Sequence, residues 1–211
     1  MELTIKSFSL GAFQTNAYVI TNEQTGQSIV IDPGMEPAAL LAELEGKNVA
    51  AILLTHAHLD HIGGLNAVRK LTQAPVYIHP LEQEWLVDPN LNGSARFGFD
   101  PIICERAESE LADGQVLEIA GLNIKVLHTP GHSPGSCSFI IGKHCFSGDV
   151  LFMQSIGRTD LLGGSFETLM DSIQNKLFEL DDDTIIYPGH GPKTTIDAEK
   201  THNPFVTGLL R

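Results

Sequence analysis

The stretch "THAHLDH", from Thr55 to His61, contains three histidines and one aspartate within its last six positions. It follows an apolar run at 49–54, which predicts a buried β-strand. Because His56 and His58 are two residues apart, their side chains project from the same face if the chain is still extended at the strand end. The aspartate and the last histidine come after the turn and can face the same cavity. This pattern predicts a metal site at the end of a strand.

Three further residues of the same kind follow predicted strands and stand close to glycine. They are His132 in "HTPGHSPGS", Asp149 in "FSGDVLF" and His190 in "YPGHGP". With the first stretch they make five histidines and two aspartates. Such a donor set suits zinc, iron or manganese and differs from the all-oxygen shell of calcium. We interpret the remaining histidines as surface or hydrogen-bonded residues: His79, His128, His144 and His202.

Length and composition limit the possible classes of protein. A chain of 211 residues, 42% hydrophobic and 18% charged, predicts one domain over residues 1–211 with a sizeable core. The formal charge of −13 argues against a nucleic-acid partner, and no apolar run approaches the ~20 residues that span a bilayer. The first residues lack the pattern of a signal peptide. The three cysteines predict reduced, half-buried thiols and no disulfide framework, so we expect a cytoplasmic protein.

Periodicity predicts strands and helices that alternate along the chain. Strands are predicted at 3–9, 16–21, 28–34, 49–55, 75–79, 115–120, 122–128, 137–142, 143–149 and, as the last one, 184–190. Helices are predicted at 36–46, 61–72, 80–86, 165–180 and 195–205, with Ser165 as an N-cap. Residues 88–112 have no clear period and are interpreted as an irregular, mobile loop. Strands with helices outside indicate a layered α+β domain.

The motifs "THAHLDH", "TPGHSPGS", "FSGDVLF" and "YPGHG", in this order, resemble those of the metallo-β-lactamase superfamily. The resemblance extends from about residue 4 to residue 205. It implies a four-layer αββα sandwich with two metal ions at one edge. It also implies the following ligands: His56, His58 and His132 for one ion, Asp60, His61 and His190 for the other, and Asp149 bridging both. Asp32 in "IDPG" is expected to support the histidine loop.

The implied chemistry is hydrolysis. Two divalent ions, zinc or alternatively iron or manganese, would share a water and lower its pKa toward about 7, giving a bridging hydroxide. Asp60 is expected to orient this water and accept its proton in addition to binding metal. No protein nucleophile is required, so Ser133 and Ser155 are interpreted as loop residues that form hydrogen bonds.

The stretch "GDVLFMQSIGRTDLLGG", at 148–164, resembles the glyoxalase II-like branch, particularly its short bacterial members. That branch hydrolyses thioesters such as S-lactoylglutathione. The resemblance implies that Arg158 contacts the carboxylate of the thiol carrier; an ion pair with Asp160 or a solvated side chain is the equal alternative. Only 21 residues follow His190, and Thr159-Asp160 replaces an aromatic pair of the branch. The prediction is therefore a small-molecule thioester, with the thiol carrier left open.

Other activities of the superfamily give alternatives. "GRTD" also resembles persulfide dioxygenases, whose single iron would be held by His56, His132 and Asp149. Lactone hydrolases tend to carry a tyrosine where Phe152 stands. True β-lactamases often carry cysteine where Asp149 stands and are usually exported, which counts against that activity. A binding module with a structural metal is disfavoured, because structural zinc sites are closed and usually rich in cysteine.

Overall fold

Six strands form the first sheet, in the order in which they occur along the chain. The first three pair antiparallel, and from the third to the sixth the pairing is parallel. They are β1 (Leu3–Leu10), β2 (Thr15–Asn22), β3 (Gln27–Ile31), β4 (Asn48–Leu53), β5 (Val76–Ile78) and β6 (Ser109–Glu110). The computed structural model describes residues 2–96 and 98–208. Met1, Phe97 and 209–211, which belong to the predicted domain 1–211, lie outside the described residues.

The second sheet also has six strands, in the order β14-β13-β10-β9-β8-β7. They are β7 (Val116–Ile119), β8 (Leu122–His128), β9 (Cys137–Ile141), β10 (His144–Gly148), β13 (Ile185–Pro188) and β14 (Thr194–Thr195). Between β10 and β13 the chain forms a separate hairpin of β11 (Leu151–Phe152) and β12 (Ser155–Ile156). Strands β10 and β13 are parallel. Their carboxyl ends therefore lie at the same edge of the sheet.

Helices cover the outer face of each sheet. They are α1 (Ala38–Leu44), α2 (Leu59–Ile62), α3 (Leu65–Thr72), α4 (Gln83–Val87), α5 (Phe166–Asn175) and α6 (Ile196–His202). Buried residues of α1 and α3 pack with one face of the first sheet, and buried residues of α5 and α6 pack with one face of the second. The inner faces of the two sheets share a third cluster. This arrangement confirms the predicted αββα sandwich.

Alternating side chains explain why central strands contain consecutive apolar residues. In β3, Val30 packs in the cluster below the helices, whereas Ile29 and Ile31 pack in the cluster between the sheets. The same alternation separates Ile52 from Leu53 in β4. A strand that is buried on both faces presents hydrophobic residues in both directions, so its sequence lacks the polar alternation of an exposed strand.

Two predicted helices are shorter than the sequence pattern indicated. The helix predicted at 61–72 is divided into α2 and α3 at Gly63-Gly64, because the N–H of Gly64 donates to the carbonyl of Gly34. A Cβ at position 64 would lie only 2.9 Å from that carbonyl oxygen. The helix predicted at 165–180 ends at Asn175 and is followed by a 3₁₀ turn at Leu177–Glu179. Its predicted N-cap is confirmed, since the Thr168 N–H donates to Ser165 Oγ at 3.2 Å.

Short strands account for most of the remaining differences. The strand at 185–188 is not the last one, because Thr194 and Thr195 pair with β13 as β14. The description of 88–112 as an irregular mobile loop is wrong at its end, where β6 pairs with β5. Asn92 also anchors this segment, since its side-chain amide donates to the carbonyls of Trp85 and Ile102, both at 2.9 Å. Two-residue strands carry no periodicity that a sequence pattern can reveal.

Across 2–96 and 98–208, every helix is too short or too polar to cross a lipid bilayer.

The three cysteines are fully buried rather than half-buried. Cys104, Cys137 and Cys145 are free thiols inside the apolar clusters. Burial raises the pKa of Cys104 to about 11 and that of Cys145 to about 12. We expect a thiol reagent at pH 8 to modify the native protein at least about a hundredfold more slowly than the denatured protein, because the thiolate is the reactive species. Rapid modification of native protein, followed with a chromogenic disulfide, would contradict this packing.

Candidate metal centre

Loops at one edge of the sandwich bring all seven predicted ligands together. After β4, His56 and His58 lie in a loop and Asp60 and His61 lie in the short helix α2 that follows it. The loops after β8, β10 and β13 carry one predicted ligand each. The predicted ligands form three overlapping groups of three, and within each group the ligand atoms lie within 4.8 Å of one another. The residues involved are His56, His58, Asp60, His61, His132, Asp149 and His190. The strand ends thus build a single cluster, as the sequence predicted.

The first group consists of His56, His58 and His132. His58 Nδ1 lies 2.9 Å from His132 Nε2, and the planes of the three rings are nearly perpendicular to one another. Burial lowers the pKa of His56, and it lowers that of His58 to about 3, with the neighbouring histidines adding to both effects. Burial also lowers the pKa of His132. The three imidazoles are therefore neutral near pH 7, the form that offers a lone pair to a metal.

The second group consists of Asp60, His61 and His190. Asp60 Oδ2 lies 3.4 Å from His61 Nε2 and 3.2 Å from His190 Nε2. It also accepts a hydrogen bond from the Thr15 hydroxyl at 2.7 Å. Burial works to raise the pKa of Asp60, but His61 and the hydrogen bond from His190 outweigh it and lower the pKa to about 2.

Asp149 lies between the two groups. Its Oδ1 is 3.3 Å from His61 Nε2, and its Oδ2 is 3.3 Å from His190 Nε2 and 3.6 Å from His132 Nε2. Burial favours the neutral acid, yet the surrounding histidines, His61 first, lower the pKa of Asp149 well below its usual value. The carboxylate is thus ionised and within reach of both groups, the position that a bridging ligand requires.

The unpartnered atoms of the cluster test whether a metal fits. In the described part of the chain, three of the four buried side-chain polar atoms without a hydrogen-bond partner are His56 Nε2, His61 Nε2 and Asp149 Oδ1. Burying unpaired polar atoms is costly, and here the atoms converge within one cluster. Divalent cations would satisfy them together, and imidazole with carboxylate is a donor set that zinc, iron and manganese accept. The residues therefore fit a metal centre.

The outward-facing ring nitrogens are held by other groups. His61 Nδ1 lies 2.9 Å from Asp32 Oδ2, and Asp32 also accepts from the backbone and the hydroxyl of Thr55. His132 Nδ1 is 2.8 Å from the Arg158 carbonyl, and His190 Nδ1 is 3.0 Å from the carbonyl of Phe13. Such contacts fix the ring orientation and leave Nε2 for the metal. The expected support by Asp32 agrees with this geometry.

One buried carboxylate was missed by the sequence reasoning. Glu82 is fully buried and accepts hydrogen bonds from the N–H groups of Ala57 and Gly135 and from the Ser133 hydroxyl. The segment "PLEQEWL" has the composition of a half-exposed helix, so it contained no signal for a buried acid. The interpretation of Ser133 as a loop hydrogen-bonding residue is confirmed.

The histidines interpreted as ordinary residues lie outside the cluster. Rings of His79 and His128 stack with centroids 4.0 Å apart and planes 8° apart, and His144 packs against Tyr187 at 5.6 Å. In the groups of ligand atoms found among the described residues, none of the four histidines takes part.

A small cleft with a cavity volume of about 120 Å³ opens over the cluster. Besides the ligand residues, its walls are formed by Phe13, Leu59, Arg158 and Leu161. The Arg158 guanidinium donates to both carboxylate oxygens of Asp160 at 2.7 and 2.9 Å, and both side chains are more than half exposed. Arg158 therefore forms the ion pair that was the alternative from the sequence and also lines the cleft, while its contact with a substrate carboxylate stays a prediction.

The αββα sandwich with a His/Asp cluster at the strand ends defines a class of metal-dependent proteins. The family model for the metallo-beta-lactamase superfamily matches residues 10–190. The chain belongs to this superfamily.

Related sequences extend over the whole chain. The probable metallo-hydrolase YqgX of Bacillus subtilis is 41% identical over 204 residues, which cover 95% of this chain and 96% of the relative. The hydroxyacylglutathione hydrolase GloC of Haemophilus influenzae is 37% identical over 211 residues, covering 97% of this chain and 98% of the relative. These relatives place the chain among the metallo-hydrolases.

Solved structures show the same fold. BLEG-1, described as a B3 metallo-beta-lactamase, has a TM-score of 0.93 and 49% identity, over 97% of this chain and 100% of its own. TTHA1623, solved in a di-iron-bound form, has a TM-score of 0.84 and 38% identity, over 95% of this chain and 99% of its own. ETHE1 from Myxococcus xanthus has a TM-score of 0.80 and 30% identity, over 97% of this chain and 85% of its own.

Proposed function

We propose that this protein is a metal-dependent thioesterase that hydrolyses a small-molecule thioester of the S-lactoylglutathione type. The observation that carries the proposal is the similarity to the hydroxyacylglutathione hydrolase GloC over nearly the whole chain. The chemistry of the cluster supports it, because seven nitrogen and oxygen donors converge beneath a cleft.

Two divalent ions would be held by the residues described above. His56, His58 and His132 would bind one ion, Asp60, His61 and His190 the other, and Asp149 both. Zinc suits this donor set, and the di-iron form of TTHA1623 supports iron as an alternative. When bound, such ions supply Lewis acidity, which lowers the pKa of water and polarises a carbonyl.

Asp60 would orient the attacking water. Its pKa of about 2 keeps the carboxylate ionised at neutral pH, so that it would accept a hydrogen bond from the water and orient it. The Thr15 hydroxyl and His190 hold Asp60 in place from either side. The products would be a carboxylic acid and a thiol. A thiol leaves readily as thiolate because its pKa is only about 8.5, so no general acid is required.

The cleft walls would bind the rest of the substrate. Phe13, Leu59 and Leu161 form apolar walls beside the ligand atoms, and they would pack against the apolar parts of the thioester while limiting the access of bulk water. Arg158 at the edge would face a carboxylate of the thiol carrier.

The Arg158→Ala substitution tests this last role. We expect KM for S-lactoylglutathione to rise about threefold to tenfold with little change in kcat, as the loss of uniform binding predicts. The effect stays modest because Asp160 already neutralises the guanidinium. Lys143→Ala is the matched control, since it removes an exposed cation that pairs with Asp183 and lies outside the cleft. Equal KM values for the two variants would show that Arg158 has only a structural role.

A β-lactam is a second candidate substrate. The B3 metallo-beta-lactamase BLEG-1 is 49% identical with a TM-score of 0.93, although the aspartate at position 149 counted against this activity in the sequence. The lactone hydrolase and persulfide dioxygenase alternatives use the same ligand residues or a subset of them.

A parallel assay distinguishes these activities. Metal-reconstituted protein would be given S-D-lactoylglutathione, a chromogenic cephalosporin, an acyl-homoserine lactone and, with oxygen uptake as the signal, glutathione persulfide. We expect the highest kcat/KM with the thioester and loss of turnover in a chelated control. A higher kcat/KM with any other substrate would contradict the assignment.

A further inference from the structure

The carboxylate of Glu82 joins two of the loops that carry predicted ligands. Its Oε2 accepts from the N–H of Ala57 at 2.5 Å, and Ala57 separates His56 from His58. Its Oε1 accepts from the Ser133 hydroxyl at 2.5 Å and from the Gly135 N–H at 2.8 Å. One side chain thus fixes the loop after β4 and the loop after β8.

The environment of the Glu82 carboxylate is unusual for an acidic side chain. Glu82 has no exposed surface, and its hydrogen bonds come from two backbone N–H groups and one hydroxyl, with no cation among them. A buried carboxylate is costly unless hydrogen bonds compensate for the loss of water. An acid held in such a place by neutral donors satisfies groups that would otherwise be buried without a partner.

Close packing makes the arrangement specific. A Cβ at Gly135 would lie 2.8 Å from Glu82 Cγ, so the glycine of "SPGS" permits the approach of the carboxylate. Trp85, three residues after Glu82, packs its ring 5.5 Å from that of His58. The segment at 80–87 therefore contacts both loops through a polar and an apolar side chain.

The contacts of Glu82 concern only one of the two groups of ligands. They adjoin His56, His58 and His132, whereas the second group is held by other residues. Asp60 is hydrogen-bonded by Thr15, and His61 by Asp32. Asp32 also reaches the first group, because the Thr55 hydroxyl that it binds lies 3.0 Å from His56 Nδ1. The contacts of Glu82, in contrast, adjoin the first group alone.

We propose that Glu82 is a positioning residue that holds His56, His58 and His132 in the arrangement required to bind one of two metal ions. The inference rests on the proposed function, because it presumes that both groups bind metal. Contacts of this kind around metal ligands typically contribute about tenfold to a hundredfold to affinity.

The test measures zinc affinity rather than turnover. Glu82→Gln keeps the size of the side chain but places an amide NH₂ against one of the donors. The two zinc dissociation constants would be determined by competition with a chromophoric chelator, together with the Tm of the metal-free protein. Glu84→Gln is the matched control, because Glu84 lies in the same segment, is 65% exposed and pairs with Arg106. Ser133→Ala removes one of the three hydrogen bonds to Glu82, together with a contact to the Ser136 hydroxyl, and serves as the milder variant if Glu82→Gln does not fold.

We expect Glu82→Gln to raise one dissociation constant about tenfold to a hundredfold and to leave the other within threefold. Ser133→Ala should raise the same constant by a smaller factor, and Glu84→Gln should match wild type. A purely structural role predicts a lower Tm with both constants unchanged or shifted equally, and this result would overturn the inference. Wild-type protein that binds no zinc would overturn the proposed function and this inference with it; two ions bound equally by all variants would overturn this inference alone.

Discussion

Asp60→Asn is expected to lower kcat for thioester hydrolysis by about a thousandfold while leaving the fold intact. The amide keeps the shape of the side chain, so the Thr15 hydroxyl can still donate to its oxygen, as it does to Asp60 Oδ2 at 2.7 Å. The substitution removes the negative charge that faces His61 and His190. It therefore removes the acceptor for the proton of water and weakens one metal ligand in the same step.

The measurement combines kcat with Tm and with metal content by elemental analysis. Asp197→Asn, an exposed aspartate on α6, is the matched control and should match wild type in all three. If Asp60→Asn retained kcat within about threefold of wild type at equal metal content, Asp60 would have no catalytic role.

Gly189→Ala should prevent normal metal binding although it adds only one methyl group. A Cβ at this position would lie 2.0 Å from Asp149 Oδ1 and 2.8 Å from His61 Cε1. The backbone cannot easily retreat, because the Gly189 N–H donates to the Gly148 carbonyl at 2.8 Å and its own carbonyl accepts from the Asn16 N–H at 2.7 Å. The Asp149 carboxylate must therefore move out of the cluster.

We expect the affinity for zinc to fall at least about a hundredfold. Loss of a residue that only hydrogen-bonds to a metal ligand typically costs about tenfold to a hundredfold, whereas here Asp149, the ligand proposed for both ions, is itself displaced. Gly191→Ala is the control. Its Cβ would meet nothing within 4 Å, but its φ of +72° imposes backbone strain of about 1–2 kcal/mol. It should lower Tm slightly and bind zinc like wild type. Two tightly bound equivalents in Gly189→Ala would show that the carboxylate has room to adjust.

The main architecture could be predicted because its signals are local. Runs of apolar residues indicate buried strands such as β3 and β4, which pack on both faces. In α5, apolar residues recur every three or four positions, as in a helix with one buried face. The seven predicted ligands could be found because four share one short motif after β4 and the other three each follow a strand beside a glycine. Folding then brings those ends to one edge, as parallel pairing of β10 with β13 does for Asp149 and His190.

Features that depend on partners distant in sequence could not be predicted. Glu82 is 25 residues from Ala57 and 51 from Ser133, so its burial is decided by tertiary packing alone. The division between α2 and α3 depends on the Gly34 carbonyl, and β14 exists only because β13 pairs with it. In each case the local sequence favours an ordinary exposed or helical segment, and a contact formed after folding decides the outcome.

Thioester hydrolysis measured as a function of bound metal tests the central claim most directly. Metal-free protein would be titrated with zinc, or anaerobically with iron(II), and the rate of S-D-lactoylglutathione hydrolysis would be recorded at each equivalent. The account predicts no turnover without metal and a rate that reaches its plateau at about two equivalents. Full turnover in the presence of a chelator, or no turnover with two equivalents bound, would contradict it.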